Sequence, residues 1–208
     1  MHSRRLHKWL NRTEAEPSSH LTWFWRAILL AQTGGMEQYR SHCRDMLKRF
    51  EGTTDRPTAD RIARACLFVA NSGVDIAIPA QLADRAVSGG EHRWMVHFQI
   101  TKGLAEYRSG RYEGALGWLR RSADATRGTP LGHAFVEAAL GMGMAQCRLG
   151  QLEEARRYLA EAETVLDRLP RPGEKGFDAE FADWIICQTL RREAEALIRP
   201  GPTTRPAP

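Results

Sequence analysis

From residue 21 to residue 198 apolar side chains recur three and four positions apart, and alternation of β-branched residues is nearly absent. That spacing gathers apolar groups on one face of an α-helix. The pattern predicts helices over 20–33, 36–50, 57–71, 77–88, 92–109, 111–126, 131–149, 151–168 and 178–199, which fall into four pairs and a final unpaired helix. A glycine stands at the break inside each pair, at Gly34, Gly73, Gly110 and Gly150, with spacings of 39, 37 and 40 residues. Glycine adopts the left-handed conformation that ends a helix without a Cβ clash, so each pair reads as a hairpin.

Aligning the segments on these glycines brings out a repeat. "GGME", "GRYE" and "GQLE", starting at residues 34, 110 and 150, each give glycine, any residue, a large apolar residue and glutamate. Five residues past the glycine stand Ala115 and Ala155, small enough to let paired helices approach closely; nine past it stand Cys43, Leu119 and Leu159. The copy at Gly73 departs most, with "GVDI" and Pro79, and Tyr39 replaces alanine in the first copy.

This pattern resembles the tetratricopeptide repeat, carried by Gly103, Tyr107, Gly110, Tyr112, Ala115, Leu119 and Ser122 and again by Gly143, Gly150, Leu152, Ala155, Leu159 and Ala162. Gln99 and Lys102 replace the family's tryptophan and leucine, and the period exceeds its 34 residues. Phrases such as "YRSHCRDMLKRF" and "DWIICQTLRREAEALI" also look like the C-terminal helical-repeat region of large bacterial multidomain proteins, some carrying a serine/threonine kinase or β-propeller domain. The resemblance implies an all-α, right-handed helical-hairpin solenoid of about four helix pairs plus a C-terminal capping helix. It spans residues 20–199, between an irregular basic leader at 1–19 and a proline-rich tail at 200–208 expected to be disordered.

Stacked hairpins leave the first helix of each pair lining a concave surface. The family's groove positions fall on Phe24, Trp25, Ile28, His97, Ile100, Thr101, Leu104, Arg108, Glu137, Leu140, Met144 and Arg148. They are expected to face solvent. Some family members grip a terminal carboxylate with lysine, arginine and asparagine at these places, where this chain has Phe24, Trp25, Ile28, His97 and Thr101. An apolar or helical segment with acidic flanks is the better-matched ligand, unless loops or termini cover the face.

Composition narrows the function classes. The net charge of +5 comes from 26 Arg and 4 Lys interleaved with acids, which disfavours a continuous nucleic-acid stripe. Clustering of Arg120, Arg121, Arg156 and Arg157 would favour one. Cys43, Cys66, Cys147 and Cys187 lie far apart with no histidine at ligand spacing and read as buried reduced thiols. "LTWFWRAILLA" follows basic residues as a signal core would, but Arg26 interrupts it, so it reads as a buried helix face in a cytoplasmic chain. "GMGM" at 141–144 lies inside a helical run with no preceding strand, which marks close helix packing rather than a nucleotide loop.

No catalytic motif, metal-ligand set or cofactor fingerprint appears in the sequence. The expected function is a non-catalytic scaffold or adaptor that binds a protein or peptide in its concave groove, with no cofactor and no membrane. The alternative is a regulatory module, detached from or related to a kinase or propeller signalling protein. A nucleic-acid binder or an unrecognised enzyme stands third, the latter favoured by a buried polar pocket. The final helix carries an apolar face of Phe181, Trp184, Ile185, Cys187, Leu190, Ala194, Leu197 and Ile198 and is expected to cap the solenoid.

Overall fold

The computed structural model describes residues 19–199 except 173, 175 and 176, so the leader through residue 18 and the tail from residue 200 lie outside the described residues. The described chain is all-helical. Its helices are α1 (His20–Gln32), α2 (Met36–Phe50), α3 (Arg56–Leu67), α4 (Ala77–Val87), α5 (Met95–Arg108), α6 (Tyr112–Thr126), α7 (Gly132–Arg148), α8 (Leu152–Leu166) and α9 (Phe177–Ile198).

Two hairpin turns show why the glycines punctuate the chain. Gly110 has φ +75° and Gly150 φ +78°. At the first, Gly110 N donates to Tyr107 O at 3.0 Å and Arg111 N to Glu106 O at 2.9 Å; at the second, Gly150 N donates to Cys147 O and Gln151 N to Gln146 O. This paired bonding satisfies the last carbonyls of α5 and α7 and turns the chain at once into the next helix.

The hairpin at Gly73 closes differently. α3 ends at Leu67, four residues before the expected end, and a longer turn leads into α4. The carbonyls freed by the early stop are taken by distant side chains. Tyr39 Oη donates to Ala65 O at 2.7 Å, and Arg108 Nε donates to Leu67 O at 2.9 Å. Tyr39, which interrupts the repeat in the first copy, is therefore a cap for the second.

The inner helices α1, α3, α5 and α7 pack each on the next, and α2, α4 and α6 each lie against their own partner and the inner helix that follows. This is a tetratricopeptide-like helical-repeat fold. Close approach is secured by Leu119 of α6, which sits where a Cβ on Gly103 or Gly141 would meet it at 2.4 and 2.8 Å. α5, α6 and α7 thus interlock through one side chain. Lys102, an odd residue for its place in the repeat, is buried and pairs with Asp84 of α4 and Glu106.

α9 extends the expected cap. It packs on α7 and α8, as a cap does, but also reaches back to α1 at the opposite end of the stack. A 22-residue helix is about 33 Å long, enough to cross all four inner helices. Ala182, Ile185, Ile186, Cys187, Leu190, Ala194 and Ile198 are buried, whereas Phe181, Trp184 and Leu197 are only half-buried. Its end is fixed by Arg199, whose guanidinium holds Glu163 of α8 at 2.9 and 3.1 Å.

Candidate functional site on the concave face

Most of the concave face lies under α9. Ile28, Ile100, Thr101, Leu104, Glu137, Leu140 and Met144 are fully buried, and Phe24 nearly so. The expectation that these positions face solvent is corrected: they are packed away from water, and α9, which runs from α8 and α7 to α1, is tied to this face through Asp183 and Glu193. Arg148 alone of the twelve is exposed, beside the Tyr107 hydroxyl at the end of the face. Trp25, His97 and Arg108 are half-buried.

The seal includes charges. Arg64 of α3 donates from Nε to Glu137 Oε2 at 3.2 Å, and from Nη2 to the other Glu137 oxygen and to Asp183 Oδ1 of α9 at 3.0 Å. Glu137 is wholly buried and Arg64 is 5% exposed. Burial pushes the Glu137 carboxyl up, and the Arg64 guanidinium on both its oxygens opposes that shift and keeps the pair ionic. Burial opposes the Arg64 charge, but Glu137, Asp183 and Asp60 more than offset it and hold its proton tighter than usual. Beneath them Asp60 accepts from Thr101 Oγ1 at 2.6 Å. Nearer the other end Arg108 grips Glu193 of α9 through both Nη atoms, with Nη2 to Oε2 at 2.7 Å.

The N-terminal part of α9 leaves an opening between α1, α3 and α5. A pocket of about 200 Å³ lies there, walled by Leu21, Phe24, Trp25, Pro57, Trp94, Phe98 and Ala182 and edged by Asp60, Arg61, Arg64, His97 and Asp183. Three of the sequence-derived groove residues, Phe24, Trp25 and His97, come together in it. Leu21 and Trp94 are 43% and 37% exposed, two of the four large apolar side chains left open to solvent among the described residues. Trp94 precedes α5 rather than lying within a helix, and its ring leans on His97 with centroids 5.6 Å apart. Burial depresses the His97 imidazole to about 4, helped by Arg64, so the ring is neutral near pH 7.

Sequence alignment missed the α3 contribution. Asp60, Arg61 and Arg64 belong to the copy whose glycine is displaced by the long turn, so alignment on Gly73 carried no groove position onto them. The signal available was "DRIAR" at 60–64, which puts two guanidinium groups three residues apart on one helical face. Of the outer arginines, Arg156 and Arg157 pair with Glu153 and Glu154, and Arg121 lies over the Trp118 ring.

No protein-family model matches the chain, and no curated protein sequence does. In three dimensions it is similar to PilW, whose crystal structure is described as that of a widely conserved type IV pilus biogenesis factor. The TM-score is 0.53 at 17% identity, over 90% of this chain and 80% of PilW. At that identity the likeness concerns the fold, and it supports the helical-repeat architecture. No described helix is long and apolar enough to cross a membrane.

Proposed function

We propose that this chain is a non-catalytic protein-binding module that takes its partner on the concave side, at the mouth α9 leaves open. The observation that carries the reading is the contrast in exposure: Leu21 and Trp94 stay open to water beside a pocket, while most of the inner-face positions are buried. Exposed aromatic and aliphatic groups around a concavity are the usual centre of a protein interface. Binding rather than chemistry is supported by the carboxylates at the pocket edge. Asp60 and Asp183 are engaged by Thr101 and Arg64, which leaves neither poised as a base.

The test is site-specific cross-linking in the native cell. A photoreactive phenylalanine at position 94 should capture one protein, and the capture should disappear with Arg61→Glu. The same group at the exposed position 120 on the outer side of α6 should not capture that protein. Equal capture from both positions, or none from position 94, would remove the mouth from the function.

A further inference from the structure

The inner face already shows how it reads a helix. Each guanidinium sealed beneath α9 meets a carboxylate from it: Arg64 holds Asp183, and Arg108 holds Glu193. Apolar side chains fill the space between. Arg61 lies one turn before Arg64 on the same helix, so it presents the same cation at the next place along the face. No described side chain of α9 meets it with an acid. Arg61 Nη1 instead meets the neutral ring of His20, with Nη1 to Nε2 at 3.0 Å, and no carboxylate among the described residues lies within ion-pair distance.

A half-buried guanidinium that makes no close ion pair is costly to hold, and burial lowers its pKa against the pull of the more distant Asp60 and Asp55. An unsatisfied polar atom lies nearby, since His97 Nδ1 is buried with no hydrogen-bond partner among the described residues. Between them is a pocket of about 200 Å³ with Trp25 and Trp94 in its wall. That volume is below the roughly 300–1,000 Å³ of sites that enclose a drug-sized molecule. It is the scale of one side chain.

Resting on the protein-binding reading above, we propose that the mouth is an anchor site for an acidic peptide segment of a partner. One large apolar side chain, aromatic for preference, fills the pocket between Trp25 and Trp94. A carboxylate neighbouring it in the partner sequence pairs with Arg61. The partner thereby continues the acid-and-apolar pattern that α9 begins at Asp183. The arrangement places a desolvated aromatic anchor beside a charge-assisted hydrogen bond, the combination that concentrates binding energy in few residues.

The experiment uses the full chain and capped peptides that carry no terminal charges. The probe is acetyl-Gly-Glu-Phe-Glu-Gly-amide, followed by the indole N–H resonances of the tryptophans. It should shift Trp25 and Trp94 and leave Trp118 and Trp184 in place. Replacing the probe's phenylalanine by alanine should weaken binding at least tenfold, and replacing both glutamates by lysine at least fivefold. In Arg61→Gln the preference for glutamate over lysine should vanish while dependence on the phenylalanine persists, and Arg61→Lys should restore the preference.

The proposal is overturned if no peptide shifts Trp25 or Trp94, if the acidic preference survives in Arg61→Gln, or if free 3-phenylpropionate binds more tightly than the peptide. The last result would make the pocket a small-molecule site. Cross-linking from position 94 fails only if the mouth meets no protein, so a captured partner together with indifferent peptides would discard this chemistry and keep the interface.

Discussion

Two stretches of one concave surface differ in what covers them. Under α9, Arg64, Glu137, Leu104 and Met144 behave as core: they are buried, and the charges among them are paired. At the mouth, Arg61, His97, Trp25 and Trp94 come from the same inner helices or their ends, yet they keep access to water, and the buried His97 Nδ1 has no hydrogen-bond partner among the described residues. The difference teaches that a groove position in a helical repeat is not a site by virtue of its register. It becomes core or site according to where the last helix lies.

The comparison breaks most completely if α9 is removed. Ending the chain after residue 176 uncovers the sealed stretch and leaves Arg64 and Glu137 facing water or each other. Each large apolar side chain re-exposed costs about 1.5 to 3 kcal/mol, so the loss of five or six approaches the whole stability of a typical domain. The shortened chain should aggregate or lose most of its cooperative melt by circular dichroism and light scattering. A folded, monomeric 1–176 fragment would show that α9 is an occupant of the groove rather than part of its core.

Next in size is the buried pair. Glu137→Gln takes the charge from the one wholly buried carboxylate that Arg64 holds through two contacts. Breaking a buried ion pair from one side costs about 3 to 5 kcal/mol, because the remaining charge stays desolvated. Asp183 remains for Arg64, which puts the expected loss at the low end of that range. Arg64→Met with Glu137→Leu should recover most of it in chemical denaturation. If the double variant is no better than the single, the pair is not what the single change disrupts.

The fold was largely legible in the sequence because its punctuation is local. Gly110 and Gly150 end α5 and α7 through bonds spanning a few residues, and helix edges there came within one to three positions of the pattern. α3 was read four residues too long, because Tyr39 and Arg108 take its terminal carbonyls from 26 and 41 residues away. The site was less legible for the same reason at longer range. Register assigns positions to the inner helices, but the cover over them depends on Arg64 meeting Asp183 across 119 residues and Arg108 meeting Glu193 across 85. No periodicity encodes those pairings. The acid-flanked helix that matches the groove was present in the chain itself.

Reversing one charge sharpens the comparison at the far end of the seal. Arg108 has a side chain 8% exposed and is bound to Glu193 and to Leu67 O. Arg108→Glu should therefore destabilise the chain by about 2 kcal/mol, more than an exposed pair would. It is not the silent surface change that an open groove implies. Pairing it with Glu193→Arg should return part of the loss, since the Leu67 carbonyl stays uncapped. Full stability in Arg108→Glu alone would mean that α9 does not rest on α5 in solution.

Acid should loosen the boundary between the two stretches. His97 titrates at about 4 in the folded chain against 6.5 unfolded, because burial disfavours its charged ring. The unfolded state takes up the proton first, so this contribution is full above pH 6.5 and is lost as pH falls towards 4. Between pH 7 and pH 5 the loss amounts to roughly 1 to 2 kcal/mol. His97→Gln should remove that part of the slope, measured as the difference between wild-type and variant denaturation curves at the two pH values. Parallel pH dependences would show that His97 is solvated and belongs wholly to the mouth.

The smallest expected change separates the mouth from the seal most cleanly. Arg61 is half-buried, hydrogen-bonds the neutral His20 ring and pairs with no carboxylate among the described residues. Arg61→Gln keeps a hydrogen-bonding side chain of related shape and removes only a charge that burial already penalises. The stability change should stay within about 0.5 kcal/mol, the range of substitutions away from packed or paired features. Relief of desolvation makes a slight gain the favoured sign. The neighbouring Arg64, with the same side chain one turn on, should lose several times more when changed to Gln, because Glu137 then stays buried and unpaired. Equal losses at the two arginines in chemical denaturation would mean that Arg61 is already partnered in solution, and the mouth would then be as closed as the rest of the face.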